Sequence, residues 1–242
     1  YEMLDKMRFD RMELPSLRTM TQAGGKLSPA LHKKFAEDAQ KKGRRFVVMY
    51  GQCEATARMA YLPAEKAVEK CGSMGIAIPG GKFCLIDADG GQIITPGVTG
   101  ELVYEGANVT LGYAERGEDL AKGDERGGVL QTGDMAKFDA DGYYYITGRK
   151  KRFLKIYGNR VNLDEVDGLV KEKFPALDCA SAGVDDHLYV FITDRTQGEA
   201  VKDFLVRRTK LNPAAFQVIA IEKIPKNDAG KTLYRELEAY YT

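Results

Sequence analysis

The sequence predicts an α/β fold at its start and an α+β fold at its end, with a β-rich region between them. Strand, helix and strand follow one another in the first fifty residues, and strands and helices alternate again after Arg149. Between them, short β-like runs are separated by Gly and Asp, a pattern typical of antiparallel hairpins. We therefore predict three parts: an α/β part over 1–74, a β-rich part over 75–148 and an α+β part over 149–242.

The first part contains the pattern of a parallel strand–helix–strand unit. Ser28 and Pro29 are preferred residues for a helix N-cap and for the first helical position. The apolar run that ends at Tyr50 is rich in β-forming residues and is closed by Gly51. The predicted elements are a helix over 1–12, a strand over 17–21, a helix over 30–41 and a strand over 45–50.

The middle part contains four short β-like runs, over 82–86, 100–104, 136–138 and 143–146. Two of its turns have the sequence Asp-Ala-Asp-Gly, at 87–90 and at 139–142. A calcium loop needs further oxygen ligands at fixed positions in a twelve-residue segment, and these are missing. Hairpin turns are therefore the better interpretation of both segments.

The last part alternates between strand and helix patterns. Gly148-Arg149-Lys150-Lys151 is the best candidate for a domain boundary or hinge, because a new pattern begins there. The predicted elements are helices over 162–173 and 198–209, strands over 180–184, 188–193 and 216–222, and a charged terminal helix from about Thr232.

Composition excludes several classes of protein. The chain has 242 residues, with 36 Lys and Arg against 35 Asp and Glu, so a generic surface for nucleic acid is not expected. No run of about 18 apolar residues is present, and the acidic start is unlike a signal peptide. The four cysteines form no CxxC pair, which disfavours a zinc site and indicates free thiols in a reducing, cytoplasmic compartment.

Four short motifs stand out, and each has a structural explanation as well as a functional one. They are Tyr50-Gly51-Gln52-Cys53-Glu54, Thr132-Gly133-Asp134, the basic segment 148–161 and the segment 225–232. Gly230-Lys231-Thr232 resembles the end of a phosphate-binding P-loop, but that loop needs Gly where this chain has Pro225. The basic segment is interleaved with apolar residues, so a solvated strand face is a better interpretation than a nucleic-acid patch.

Taken together and in this order, the motifs resemble the adenylate-forming superfamily, which includes acyl-CoA synthetases, amino-acid-adenylating domains and luciferases. The resemblance covers residues 17 to 237 and includes the Gly-Glu-Leu...Gly-Tyr element at 100–113. It implies a remnant of a large α/β domain, a β-rich subdomain and a small mobile α+β lid. It also implies activation of a carboxylic acid with ATP to an acyl-adenylate, followed by transfer to a phosphopantetheine thiol.

The resemblance implies roles for individual residues in the first two parts. Tyr50 would stack on the adenine, Glu54 would hold Mg²⁺, and Asp134 would accept hydrogen bonds from the ribose hydroxyls. Without the family, these residues would be interpreted as a core aromatic, a solvated carboxylate and a turn residue. The remaining residues implied to lie along the nucleotide are Gly24, Gly25, Lys26, Gly51, Gln52, Cys53, Ile146 and Arg149.

The resemblance also assigns residues in the lid. Lys231 would be the lysine that promotes adenylation, and Lys155 would reach the site when the thioester forms. Lys151 falls at the hinge position. Gly158 would line the tunnel for the pantetheine thiol, and Arg160 would contact phosphate. The implied cofactors are ATP or AMP, Mg²⁺, and coenzyme A or the phosphopantetheine of a carrier protein.

Two features depart from the family pattern. Cys53 stands where the family has Thr, and a thiol donates only a weak hydrogen bond to phosphate. The Ser/Thr/Gly-rich phosphate loop expected upstream of Leu17 is absent. We therefore expect the C-terminal portion of a longer synthetase, inactive by itself in acyl-adenylate formation. The alternatives are an enzyme that loads a carrier protein and a non-catalytic nucleotide-binding or interaction module.

Overall fold

A computed structural model describes residues 1–228 and 230–241 of the chain. The chain divides into two compact units, residues 1–146 and residues 147–242. Both units mix helices with β-sheets, which confirms the predicted fold class. The further division of the first unit into an α/β part and a β-rich part stays a prediction.

The first unit begins with a four-stranded sheet in the order β1-β2-β3-β4. β1 and β2 are parallel, as predicted, and the other two pairs are antiparallel. The Ser28 hydroxyl caps α2 by accepting a hydrogen bond from the Leu31 amide. Phe35 and Phe46 pack between this helix and the sheet. The elements are α1 (Glu2–Lys6), β1 (Thr19–Gln22), α2 (Pro29–Lys41), β2 (Arg45–Tyr50), β3 (Ala60–Leu62) and β4 (Ile76–Ala77).

The second sheet of this unit has five strands in the order β6-β5-β7-β8-β9. Both Asp-Ala-Asp-Gly segments form turns, in which Asp87 and Asp139 accept hydrogen bonds from following backbone amides. Residues 1–228 and 230–241 contain no group of three or more His, Cys, Asp or Glu side chains that could hold a metal ion. The strands are β5 (Gly81–Ile86), β6 (Gln92–Ile93), β7 (Gly100–Gly106), β8 (Val129–Phe138) and β9 (Tyr144–Arg149).

The second unit contains a two-stranded hairpin and a three-stranded sheet. In the sheet, β12 and β13 are antiparallel, whereas β13 and β14 are parallel. Val166 of α3, Val190 of β13 and Leu205 of α4 are buried in a common core. The elements are β10 (Phe153–Ile156), β11 (Asn159–Asn162), α3 (Leu163–Lys173), β12 (Cys179–Val184), β13 (His187–Ile192), α4 (Gly198–Thr209), β14 (Phe216–Ala220) and α5 (Tyr234–Leu237).

Two predicted helices are shorter than the sequence pattern suggests. The helix predicted over 1–12 ends at Lys6, because Arg8 has a left-handed φ of 55°, and a separate 3-10 turn follows over Phe9–Arg11. The terminal helix begins at Tyr234 and has four residues. In the described ranges, no helix is long and apolar enough to span a bilayer, and all four cysteines are free thiols.

Candidate active site

The loops that follow β1 and β2 lie at the same edge of the first sheet, because the two strands are parallel. The first loop contains Gly24, whose φ of +88° is a conformation that favours glycine, followed by Gly25 and Lys26. The Lys26 ammonium donates a hydrogen bond to the carbonyl oxygen of Ile146 at 3.0 Å. Two residues predicted to border a nucleotide are thus in contact, although 120 positions separate them in sequence.

Tyr50, Gln52 and Asp134 form a hydrogen-bonded cluster at the end of β2. The Tyr50 hydroxyl donates to Asp134 Oδ2 at 2.6 Å, and Gln52 Nε2 donates to the same oxygen at 3.0 Å. Burial, and then the negative charge of Asp134, raises the pKa of Tyr50, so its hydroxyl stays a donor. An ionised carboxylate has about four acceptor sites, so Asp134 Oδ2 can accept both of these donors at once.

A bulge in β8 directs Asp134 toward this cluster. The pairing of β7 with β8 shifts register between Glu101 and Val103, opposite the Thr132-Gly133-Asp134 segment. Gly133 has a φ of +69°, which a glycine adopts at little cost. The Thr132 hydroxyl donates to the Leu102 carbonyl at 2.8 Å and accepts the Asp134 amide at 3.1 Å, which stabilises the bulge. Each member of this motif therefore has a structural function in orienting the carboxylate.

Glu54 lies in a tight 3-10 turn just after the cluster, over Cys53–Ala55. A Cβ at Gly51 would lie 2.4 Å from the Ala57 carbonyl oxygen, so only glycine fits where the chain folds back. The Tyr113 hydroxyl donates to Glu54 Oε1 at 2.6 Å, and this bond lowers the pKa of Glu54.

An ionised Glu54 fits a Mg²⁺ ion that is held partly by substrate phosphates. Mg²⁺ in nucleotide sites commonly uses one or two carboxylates, with phosphate and water oxygens as the other ligands. The described residues contain no group of three His, Cys, Asp or Glu side chains that could form an all-protein site. The neighbouring Cys53 thiol is exposed, and its contact with phosphate stays a prediction.

The second unit carries the remaining predicted residues. Arg149 ends β9, and the exposed Lys151 lies in the 3-10 turn Lys150–Arg152 that follows. Lys155 of β10 and Arg160 of β11 are directly opposed and therefore lie on one face of the hairpin. Gly158 turns between them with a φ of +84°, and an added Cβ would meet no atom within 4 Å. The turn conformation alone thus explains this glycine, while its role in a thiol tunnel stays a prediction.

The turn between β12 and β13 holds this hairpin in place. Asp185 accepts a hydrogen bond from the Lys155 amide at 2.8 Å, and Asp186 accepts one from the Tyr157 amide at 2.6 Å. The Asp186 amide donates in return to the Lys155 carbonyl at 2.7 Å. A two-stranded hairpin alone is marginally stable, so these three bonds contribute directly to the position of Lys155.

Lys231 lies in a narrow loop that its own backbone closes. Its amide donates to Asn227 Oδ1 at 2.9 Å, and its carbonyl accepts the Asn227 amide at 2.9 Å. Lys226 and Thr232 form a β-bridge, and Lys226 pairs with Asp178 at 2.6 Å. The Lys231 side chain is exposed, so the loop backbone determines the position from which this side chain extends.

Arg152 corrects the interpretation of the basic segment as a solvated strand face, because its guanidinium is buried. It donates to Asp164 Oδ1 at 2.8 Å, to the Ser181 carbonyl at 2.6 Å and to Asp167 Oδ2 at 2.7 Å. The Tyr234 ring covers the guanidinium carbon at 3.6 Å. All of these partners belong to the second unit.

The Arg152 cluster predicts a pH dependence of stability. Burial raises the pKa of Asp167 from an ordinary 3.8 to about 6, against the lowering effects of Arg152 and Lys171 and with a smaller raising effect from Asp164. Between about pH 4 and 6, the folded state then binds more protons than the unfolded state. This group's contribution to the free energy of unfolding should therefore fall as pH rises, by up to about 1.4 kcal/mol per pH unit.

Urea unfolding at several pH values between 4 and 7, with Asp167→Asn as the comparison, measures this contribution. In the variant, the free energy of unfolding should lack the decrease that Asp167 causes as pH rises. The difference in free energy of unfolding between the two proteins should therefore change between about pH 4 and 6. Parallel curves would show that Asp167 keeps the same protonation state throughout.

Comparison with known proteins agrees with the predicted motifs. Residues 1–114 match the family model described as AMP-binding enzyme. A 4-coumarate–CoA ligase-like protein from Arabidopsis thaliana is 27% identical over 94% of this chain and 41% of its own length. A long-chain-fatty-acid–CoA ligase from Salmonella typhimurium is 28% identical over 97% of this chain and 42% of its own. The chain is similar to AMP-binding enzymes of the adenylate-forming superfamily.

Solved structures are similar to this chain at the level of the fold. The o-succinylbenzoate CoA synthetase of Bacillus subtilis, solved with an acyl-adenylate intermediate, matches with a TM-score of 0.73 and 24% identity. It is matched over 98% of this chain and 49% of its own. An amide bond synthetase from Marinactinospora thermotolerans matches with a TM-score of 0.72 and 22% identity, over 96% of this chain and 49% of its own. The chain spans about two fifths of the length of these two CoA ligase relatives.

Several residues that shape the site were missed in the sequence. Tyr113, which orients Glu54, belongs to the recognised Gly-Tyr element, but its partner lies 59 positions away. Arg126 stacks on the Tyr113 ring at 4.6 Å, and no motif of the family singled it out here. Arg152 and Tyr234 were also missed, because a buried arginine within a basic run gives no local signal. The predicted residues themselves fall into two groups, one in each unit.

Proposed function

We propose that this chain carries the nucleotide-binding and lysine-bearing parts of an ATP-dependent, AMP-forming acid–thiol ligase. The observation that carries the proposal is the Tyr50–Gln52–Asp134 cluster, which lies at the carboxyl end of parallel β2 and directly before Glu54. The carboxyl ends of parallel strands are where α/β sheets bind ligands. Relatives named as CoA ligases, matched across more than nine tenths of the chain, support the same reaction class.

In the proposed site, the Asp134 carboxylate accepts hydrogen bonds from the ribose hydroxyls while Tyr50 and Gln52 keep it oriented. Tyr50 offers its ring to the adenine, and Gly24, Gly25 and Lys26 border the base from the loop after β1. Glu54 holds Mg²⁺ jointly with the phosphates, and the bound ion supplies positive charge against the departing pyrophosphate. A Bacillus subtilis protein of similar fold was solved with AMP, and with ATP and magnesium, which supports a nucleotide and Mg²⁺ as the ligands of the proposed site.

The proposed reaction has two steps. A carboxylate oxygen of the acid attacks the α-phosphorus, the bond to the β-phosphate oxygen breaks, and pyrophosphate leaves. Lys231 stabilises the charge that develops on the acid and the α-phosphate, since an ammonium is a compact cation. A thiol sulfur then attacks the acyl carbon, its proton is lost, and AMP leaves.

Coenzyme A is the proposed acceptor, because the relatives are named as CoA ligases. Lys155 and Arg160, on one face of the β10–β11 hairpin, supply the cations for a phosphate-bearing acceptor. Gly158 lies in the turn between them. Lys151 as the pivot, Arg149 as a nucleotide contact and a carrier protein as the alternative acceptor remain predictions.

ATP–pyrophosphate exchange tests the function on the complete enzyme, meaning this chain together with any residues that precede it. A panel of aliphatic and aromatic acids should include at least one that supports exchange above the acid-free rate. A non-catalytic nucleotide-binding module of the same fold would bind AMP without exchange. Calorimetric titration of AMP therefore accompanies the assay, so that binding and turnover are measured on one preparation.

Cys53→Thr should strengthen ATP binding by the complete enzyme. A hydroxyl donates a stronger hydrogen bond to a phosphate oxygen than a thiol does, and one such bond contributes about 0.5–1.5 kcal/mol. We expect the Kd for ATP to fall roughly 2- to 10-fold, with the Kd for adenosine unchanged. Cys53→Ser reports whether the methyl group of Thr matters. Equal Kd values for ATP in the cysteine and threonine forms would contradict a phosphate contact at this position.

A further inference from the structure

The two ends of the loop that carries Lys231 are joined to each other by backbone hydrogen bonds, and the fully buried Ile224 precedes its entrance. At its entrance, Lys226 pairs with Asp178, but both side chains are more than a third exposed, and such pairs contribute little. At its exit, the loop runs directly into α5, which has four residues and cannot be stable through its own hydrogen bonds. The side chains that α5 buries therefore determine where the exit lies.

Two side chains of α5 perform this anchoring. Leu237 is fully buried in a small core with Phe191 and Ile224. Tyr234, at the first position of the helix, covers the Arg152 guanidinium at 3.6 Å, within the range of a cation–π contact. Tyr234 is three residues beyond Lys231. It follows the Lys226–Thr232 bridge and the Leu233 amide, which donates to the Pro225 carbonyl at 2.9 Å. Its ring therefore attaches the joined ends of the loop to the rest of the unit.

Arg152 is itself rigidly held. Its guanidinium donates to a carboxylate at the start of α3, to a carboxylate one turn later and to a carbonyl of β12. A planar fork with three fixed acceptors has little freedom to move. The guanidinium face that contacts the Tyr234 ring is therefore held in one position within the second unit.

We propose that Arg152 is a positioning residue for Lys231. Its buried guanidinium fixes Tyr234, and Tyr234 fixes the exit of the loop that carries the lysine. The inference rests on the role proposed for Lys231, whereas the anchoring can be measured without any activity.

Amide hydrogen exchange of this chain tests the anchoring. In Tyr234→Leu, which removes the ring but leaves every hydrogen bond of Arg152 in place, the amides of Gly230, Lys231 and Leu233 should exchange at least tenfold faster. The exchange rates of the β13 amides should rise no more than the change in the variant's overall stability, measured by its melting temperature, explains. Arg152→Met should have the same local effect. Tyr234→Phe keeps the ring and should behave within twofold of the unaltered chain.

Arg208→Met is the matched control, because it removes an exposed arginine from α4 of the same unit. Unchanged loop exchange in folded Tyr234→Leu would overturn the proposal, as would an equal increase in Arg208→Met. If Arg152→Met fails to fold, Tyr234→Leu decides the result by itself.

A second readout separates this proposal from the proposed function. In the complete enzyme, Tyr234→Leu should lower kcat for adenylation at least tenfold, with the KM for ATP within threefold, because the lysine acts as charge develops. Faster loop exchange with unaltered kcat would show that Tyr234 holds the loop in place. It would contradict a contribution of this contact to adenylation, and with it the proposed role of Lys231. Altered kcat with unaltered exchange would instead overturn the positioning.

Discussion

Lys231→Ala should slow acyl-adenylate formation by about 10²–10³-fold in the complete enzyme, the usual effect of removing one well-aimed group that stabilises transition-state charge. Formation of the thioester from a supplied acyl-adenylate should change much less, since the α-phosphate bond is already made. ATP–pyrophosphate exchange measures the first step. Release of AMP from supplied acyl-adenylate and thiol measures the second.

Lys226→Ala is the matched control for this result. It removes a lysine from the same loop, and its ion pair with Asp178 is exposed, so a change of no more than a few-fold is expected. Equal slowing of both half-reactions by Lys231→Ala would contradict a specific role in adenylation. If both substitutions slowed acyl-adenylate formation equally, the loss would come from disturbing the loop and not from removing the charge of Lys231.

Asp134→Asn should weaken AMP binding by about a hundredfold or more. The carboxylate is proposed to accept two ribose hydroxyls, and a hydrogen bond to a charged group contributes about 1.5–3 kcal/mol. Asparagine also offers a donor where Tyr50 and Gln52 both donate, so the cluster itself is disturbed. Calorimetric titration of AMP into the 242-residue chain measures the effect without requiring turnover.

The control for this substitution is Asp119→Asn, which removes a partly buried carboxylate from the same unit. Asp119 accepts backbone amides at the start of a 3-10 turn, so a modest change in melting temperature and no change in AMP affinity are expected. Affinity within threefold of the unaltered chain in Asp134→Asn would contradict the ribose contact. A comparable loss in Asp119→Asn would show that binding depends only on net charge.

Elements with strong local signals were predictable from sequence. The helix predicted over 198–209 has those bounds in the structure, and α2 begins at the predicted proline with the predicted serine cap. The helix predicted over 1–12 was wrong beyond Lys6, because amphipathic spacing contains no sign of the left-handed turn at Arg8. The spacing of apolar residues indicates which face of a helix is apolar, but it contains no information on the φ angle of an individual residue.

Candidate site residues could be chosen from the sequence, but their geometry could not be predicted from it. The sequence placed Tyr50 and Asp134 in separate motifs, and their hydrogen bond joins residues 84 positions apart. The bulge that directs Asp134 depends on the pairing of β7 with β8, which local pattern does not specify. The burial of Arg152 depends on α3, β12 and α5 meeting around it, which is a property of the packed unit.

The attachment of the β10–β11 hairpin to Asp185 and Asp186 limits how this region can vary in length. Surface turns usually tolerate insertions, because their ends need only to remain close. The length of the turn between β12 and β13 determines where its two aspartates lie. One added residue would move one or both of them out of register with the amides of Lys155 and Tyr157. A relative or a grafted chimera that lengthens this turn must therefore find a new support for Lys155, even though no residue of the hairpin itself has changed.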